Sequence, residues 1–251
     1  MRTVLVRLHG ELEDLAPGRH RGRVIERRLD EGATLKHALE ALDVPHTEIG
    51  EVSLDGAPST LAAVLSDGAR VDAWPAPPEP PDAAVDARFI ADAHLGALAK
   101  RLRLLGFDTL LASDGSDSAL AALAQSEGRI LLSRDRELLK HRRVARGRLV
   151  RALDADEQLV EVAQRFGLRH AIRPFSRCLE CNAPLRGAER GEVDAIVPPR
   201  VAGSQSGFTV CTGCARVYWP GSHWRRLRER VEALCAAIDA PDAPAPDAPT
   251  L

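Results

Sequence analysis

Phe89-Ile-Ala-Asp-Ala-His-Leu-Gly-Ala-Leu-Ala-Lys-Arg-Leu-Arg-Leu-Leu-Gly-Phe-Asp-Thr109 changes its hydrophobic period within a few residues. Three apolar residues lead into Asp92, after which Leu95, Leu98, Ala99, Leu102 and Leu105 recur at helical spacing until Gly106 stops the pattern. A short strand followed by an amphipathic helix opens a parallel α/β unit. The same alternation continues downstream. Phe107-Asp-Thr-Leu-Leu111, Arg129-Ile-Leu-Leu-Ser133 and Arg148-Leu-Val-Arg-Ala-Leu153 read as strands, a helix capped by Ser116 and stopped by Gly128 lies between, and another begins near Asp156. The fold class of this central part is α/β with a parallel sheet.

The acids fall at the ends of these strands. Asp92 follows the first, Asp114 and Asp117 the second, Asp135 the third and Asp154 the fourth. The crevice beyond the carboxyl ends of parallel strands is where such sheets bind ligands. Carboxylates gathered there repel one another, and a divalent cation with hard oxygen ligands, magnesium or manganese, relieves the repulsion. Taken singly, each Asp suits a helix cap just as well. Lys100, Arg101, Arg103, Arg134, Arg136, Lys140, Arg142, Arg143, Arg146 and Arg148 surround the acids, as expected for a site that admits a polyanion. A solvated basic face is the alternative.

Composition is that of an ordinary globular chain: 251 residues, 45% hydrophobic and 28% charged, with a formal charge of −2. The charge is unevenly spread. Residues 1–80 hold 9 basic and 14 acidic side chains, whereas residues 88–175 hold 16 basic and 11 acidic. No apolar run is long enough for a membrane span and the start has no apolar signal core, so a cytoplasmic location without membrane partners is expected.

Cys178-Leu-Glu-Cys181 and Cys211-Thr-Gly-Cys214 are two C-x-x-C knuckles separated by 29 residues. Four thiolates so paired suit a closed tetrahedral zinc, a structural site with Cys178, Cys181, Cys211 and Cys214 as ligands. Cys235 stands apart on a terminal helix. Tyr218, Trp219, His223 and Trp224 interleave with Arg216, Arg225, Arg226 and Arg228, which suits either stacking of unpaired bases or a small ribbon core.

The Pro-rich stretch Pro75–Pro81 marks a boundary. Before it, Thr3–Leu8 and Arg23–Leu29 read as strands, Thr34 caps a helix through Leu42, and Val52–Ala57 and Ala69–Trp74 supply later strands. That order is a β-grasp. The divisions expected are a β-grasp domain over 1–75, a linker over 76–87, the acidic sheet over 88–175, the cysteine module with its terminal helix over 176–235, and a disordered Pro/Ala/Asp tail over 236–251.

Two resemblances sharpen these readings. Leu35–Glu48, Leu54-Asp-Gly56 and Asp67–Pro75 resemble the ubiquitin-like sulfur-carrier proteins, although the matching end here is Trp74-Pro75 and not Gly-Gly, which argues against carrier chemistry. The module then either docks a protein partner or RNA, or stabilises its neighbour, and the remainder is expected to fold with intact metal sites without residues 1–80. Phe89–Thr109, Ile130-Leu-Leu-Ser-Arg-Asp-Arg-Glu-Leu-Leu139, Cys178–Leu185 and Phe208–Trp224 resemble the Mut-seven C-terminal ribonuclease family, a branch of the PIN-like nucleases. Ser133 stands where that family usually has Thr. The resemblance implies a metal-dependent ribonuclease in which Asp92, Asp117 and Asp135 hold a catalytic magnesium or manganese, with Glu137, Asp114 and Asp154 in second rank. Arg101, Arg134, Arg136, Lys140, Arg142 and Arg143 are the expected RNA contacts. A non-catalytic RNA-binding protein, associated with tRNA or the ribosome, is the other function the pattern allows.

Overall fold

The computed structural model describes residues 1–80, 86–112 and 115–240. Residues 81–85 of the linker assigned by sequence, all but the first residues of the tail, and Asp114 therefore lie outside the described residues. The chain assorts into two compact units that do not follow chain order: one comprises Met1–Pro78, Arg88–Gly96 and Leu110–Arg151, the other Glu79–Ala87, Ala97–Thr109 and Ala152–Leu251.

The first unit opens with a five-stranded sheet made of β1 (Arg2–Leu8), β2 (Ile25–Leu29), β3 (Ile49–Leu54), β4 (Ala57–Pro58) and β5 (Arg70–Pro75), with α1 (Leu35–Glu40) between β2 and β3. Strand order is β2-β1-β5-β3-β4. The first and last long strands lie parallel at the centre, Val6 opposite Val71, while β1 and β2 are antiparallel. Thr34 starts α1 by accepting the His37 amide at 3.3 Å, which satisfies one of the free N–H groups of the first turn. Apolar residues alternate inward along β1, so Val4, Val6 and Leu8 are buried.

The second sheet is formed by β6 (Arg88–Ala91), β7 (Asp108–Leu111), β8 (Ile130–Ser133) and β9 (Gly147–Leu149), in the order β7-β6-β8-β9. β6, β8 and β9 are mutually parallel, with Ala91 opposite Leu132 and Ser133 opposite Leu149. The connecting helices are α2 (Gly96–Leu104), α3 (Asp117–Glu127) and α4 (Arg136–Lys140). Sequence placed the fourth strand over Arg148–Leu153, but it ends at Leu149; Asp154 therefore caps α5 (Ala155–Arg165) and does not sit at a strand end.

In the first unit the two sheets share one core. Val4, Val6, Leu39 and Val44 form a single buried cluster with Ile90, Leu131, Leu138, Leu139, Val144 and Leu149. β9 is the edge of the parallel sheet, and the 3-10 turn His46–Glu48 covers it. Glu48 Oε1 accepts the Leu149 amide at 2.8 Å, Glu48 Oε2 accepts Arg148 Nη1 at 2.8 Å, and His46 Nε2 lies 2.7 Å from the Val144 carbonyl. An otherwise unpaired strand edge is thus closed from within the chain. Burial of Glu48 raises its carboxyl pKa, against the lowering by Arg148. Glu11 bonds Arg148 and Arg151, and despite burial, which raises it, these guanidinium groups hold its carboxyl below the ordinary value.

The shared core argues against the expectation that the sheet folds without residues 1–80. Removing them would strip the Leu131–Leu149 cluster of its apolar partners at roughly 25 cal/mol per Å² uncovered and leave Arg148 buried without its carboxylates. A chain starting at residue 81 should show no cooperative denaturant transition for the acidic sheet, and a fragment with a parental transition there would refute the shared core.

The second unit holds α2, α5, the three-stranded sheet of β10 (Leu185–Ala188), β11 (Phe208–Cys211) and β12 (Val217–Tyr218), the short helices α6 (Arg190–Val193) and α7 (Pro199–Ser204), and α8 (Ser222–Asp239). β10 and β12 flank β11, both antiparallel to it. Val193, Val197 and Phe208, with Trp219 against them, form a small core under the segment between the knuckles. α8 runs to Asp239, past the boundary expected at 235.

Candidate active site and cysteine cluster

Asp92 leaves β6 as the cap of the 3-10 turn Ala93–Leu95, its Oδ1 accepting the His94 amide at 2.9 Å. Its other oxygen, Oδ2, accepts the Ser133 hydroxyl and, at 3.3 Å, the Arg134 amide. Ser133 ends β8, fully buried, and its Oγ also accepts the Asp135 amide at 2.9 Å. One hydroxyl therefore ties the ends of two adjacent parallel strands together, with an acid on each side of it. Asp135 caps α4 through Oδ1, which accepts the Glu137 amide at 2.8 Å and the Leu138 amide at 3.4 Å. The Asp92 residue is 8% exposed and Asp135 is open to solvent, so the pair runs from the sheet interior to the surface.

Asp117 is the first residue of α3, behind the Ser116 cap, and is exposed. Among the described residues, the four cysteines are the only group of three or more His, Cys, Asp or Glu whose ligand atoms come within 4.8 Å of one another. Asp92, Asp117 and Asp135 are thus not gathered to that distance. Two carboxylates are still a sufficient protein share for magnesium, which commonly takes one or two and completes its shell with water and substrate phosphate. Glu137 is engaged with Lys140 at 2.6 Å, and Asp154 with the amides of Asp156 and Glu157.

The basic residues divide sharply. Arg101 pairs with Asp156 at 2.8 Å, Arg136 with Asp43 at 2.6 Å, and Lys140 with Asp43 at 2.5 Å. Those three, expected to meet RNA, are committed to intramolecular partners. The side chains of Arg134, Arg142 and Arg143 enter no ion pair among the described residues, and Arg134 and Arg142 are exposed.

In the cysteine cluster, Cys178 and Cys211 are buried and Cys181 and Cys214 exposed, all of them free thiols. Sulfur separations of 3.7 Å (Cys178–Cys214) and 3.2 Å (Cys181–Cys211) lie close to and somewhat below the ~3.8 Å edge of a tetrahedron with ~2.3 Å zinc–sulfur bonds. In the second knuckle the turn lets amides face sulfur: Gly213 and Cys214 amides lie 3.4 Å from Cys211 Sγ. Burial raises the Cys178 pKa, yet the backbone at Cys181, the Tyr218 hydroxyl and the backbone at Glu180 outweigh it and bring it to about 6. The Ala183 amide lowers that of Cys181, but the neighbouring sulfurs push it up to about 12. Four thiols this close cannot all ionise alone, and a cation among them removes the conflict. The donor set fits zinc.

The first knuckle is also bonded to the α2–β7 segment. Asn182, at φ +70°, accepts the Thr109 amide through Oδ1 at 3.0 Å and donates Nδ2 to Asp108 at 2.7 Å. Arg103 donates to the carbonyls of Leu179 and Glu180 at 3.0 and 2.9 Å. Asn182 carries no sequence signal as a site residue, whereas Ser133 occupies the first position of the Ser-Arg-Asp motif, where the family usually has Thr.

Residues 87–231 match the model of the Mut7-C RNAse domain, and residues 1–79 match that of the Mut7-C ubiquitin domain. The chain belongs to the Mut7-C RNAse domain family. It is similar to the exonuclease mut-7 homolog of Homo sapiens, 26% identical over 63% of this chain and 27% of that protein, so it spans about a quarter of that relative's length. Among solved structures it is similar to small archaeal modifier protein 1 of H. volcanii, 21% identical, covering 30% of this chain and 98% of that one with a TM-score of 0.26. A second structure of SAMP1 from Haloferax volcanii covers 29% and 93% at 21% identity and a TM-score of 0.25. The two matches support a nuclease function for residues 87–231 and a ubiquitin-like N-terminal domain. No helix among the described residues is long and apolar enough to cross a membrane.

Proposed function

We propose that this chain is a divalent-metal-dependent ribonuclease of PIN-like architecture, in which Asp92 and Asp135, joined by Ser133 and assisted by Asp117, form the site that hydrolyses RNA phosphodiester bonds. The observation that carries the reading is the Ser133 bridge: its hydroxyl donates to the Asp92 carboxylate and accepts the Asp135 backbone amide, which ties both acidic residues to the carboxyl ends of adjacent parallel strands. Magnesium or manganese, when bound there, supplies positive charge that stabilises the phosphate during attack by water. The chain's own residues prepare the site. Ser133 donates to Asp92 Oδ2 and keeps it turned toward β8, and the first turn of α4 fixes Asp135 through two amides while its second oxygen stays open. The cysteine cluster holds a structural zinc, and thiolate ligands of that kind suit a reducing compartment, the cytoplasm.

The test is to incubate the purified chain with total cellular RNA, with and without magnesium or manganese. Fragments that appear only with the cation support the proposal. Absence of cutting with either metal would replace it by the RNA-binding reading, in which Asp92 and Asp135 serve only as the helix caps they also are, on tRNA or ribosomal RNA.

RNA contact is assigned to Arg134, Arg142 and Arg143, whose charges have no ion-pair partner among the described residues. Replacing all three by Gln should weaken RNA binding at 50 mM salt and flatten the slope of log affinity against log salt by about 0.7 for each phosphate of a single strand that is no longer neutralised. An unchanged slope in a filter-binding titration would remove these residues from the interface.

A further inference from the structure

The basic face of α4 is turned onto the N-terminal domain, one residue away from the acid it follows. Arg136 Nη1 donates to Asp43 Oδ2 at 2.6 Å and to the Leu15 carbonyl at 3.0 Å. Lys140 Nζ donates to Asp43 Oδ1 at 2.5 Å and to Glu137 at 2.6 Å. Arg136 and Lys140 are four residues apart and so share a helix face, and one carboxylate takes a cation on each oxygen. Asp43 itself has φ +68°, the left-handed region in which Asp and Asn are the tolerated residues with a side chain, and this fixes its carboxylate at the end of α1.

α4 spans only five residues, far below the length at which a helix holds itself together, so its place is set by what grips it. Leu138 and Leu139 anchor one face in the core, and Asp43 anchors the other. The Asp135 carboxylate is bonded to the first-turn amides of α4, so wherever the helix lies, the carboxylate follows. We infer that Asp43 is a positioning residue for the acidic site: through Arg136 and Lys140 it holds α4, and with it the Asp135 carboxylate, in the place that receives the metal. The inference rests on the assignment of Asp135 as a metal-holding residue. It gives the ubiquitin-like domain a role in the chemistry without placing any of its residues on the substrate.

The experiment uses the full-length, zinc-loaded chain and manganese alone as probe, with binding read from the electron paramagnetic resonance of free Mn²⁺ and RNA cleavage measured in parallel. Asp43→Asn suits the left-handed backbone and removes only the charge. It should raise the manganese dissociation constant on the order of tenfold, lower kcat at subsaturating manganese by a similar factor, restore it at saturation and leave KM for RNA unchanged. Lys140→Gln removes one of the two bonds, should give a smaller shift in the same direction, and decides the matter if Asp43→Asn does not fold. Glu48→Gln loosens the grip on β9 and not on α4, so it should lower the denaturation midpoint with parental manganese affinity. Parental affinity in Asp43→Asn, or an equal loss in Glu48→Gln, overturns the inference. Asp135→Asn separates this failure from that of the underlying reading: parental manganese binding in that variant overturns both, whereas lost binding there with none lost in Asp43→Asn overturns only the role of Asp43.

Discussion

Asp135→Asn will cut RNA at least about 100-fold more slowly than the parent at fixed manganese, because losing even an outer partner of a metal site costs about 10- to 100-fold. The fold should survive untouched. The cap on α4 uses only Oδ1, which an amide retains, and Asn is as good a cap as Asp, so the denaturation midpoint in chelator should match that of the parent. Asp92→Asn should be equally inactive but structurally less innocent. Both Asp92 oxygens accept hydrogen bonds, from His94 on one side and from Ser133 and Arg134 on the other, so an amide nitrogen must face an N–H or O–H donor in either orientation. That mismatch, in a residue only 8% exposed, costs about 1–3 kcal/mol. Single-turnover cleavage together with urea denaturation reads both effects. If the two variants cut as fast as the parent, the chemistry lies elsewhere; if Asp135→Asn is as destabilised as Asp92→Asn, the asymmetry described between the two caps is wrong.

The placing of the two acids between a strand and a helical turn was legible in the sequence because each terminates an apolar run, a local pattern spanning fewer than ten residues. The cysteine knuckles were legible for the same reason. Ser133 was visible as the residue at the family's usual Thr, but its bond was not, since that depends on Asp92 standing 41 positions earlier at the end of the adjacent strand. The basic cluster shows the limit of composition most plainly. Positive charge around an acidic site suggested a polyanion, yet the acidic excess of residues 1–80 is itself an internal counterpart, and Asp43, Glu11 and Glu48 neutralise Arg136, Lys140, Arg148 and Arg151. Pairs separated by 93 to 140 positions leave no periodic trace, so nothing local marks Arg136 as paired and Arg134 as open to water. The β-grasp order was readable from its strands; that it closes the edge of another sheet was not.

Removing zinc should unfold the cysteine module and disturb Asp108 and Thr109, the start of β7, with it. The module has a small apolar core of its own, resting on Val193, Val197 and Phe208, while structural zinc bound by thiolates contributes about 10–16 kcal/mol, comparable with the whole stability of a domain. One zinc per chain should therefore copurify, and Cys178→Ser should lose it. The disturbance has a defined route. Asn182 receives the Thr109 amide and binds Asp108, and Arg103 is tied to the carbonyls of Leu179 and Glu180, so collapse of the first knuckle frees the start of β7. Hydrogen exchange at the Thr109 amide should rise by several orders of magnitude in Cys178→Ser, alongside the Cys178 and Asn182 amides, while Cys235→Ser, which alters a thiol outside the cluster, keeps one zinc and parental exchange. A chelated chain whose Thr109 amide stays protected would mean that the knuckle rests on Asp108 and Thr109 without supporting them.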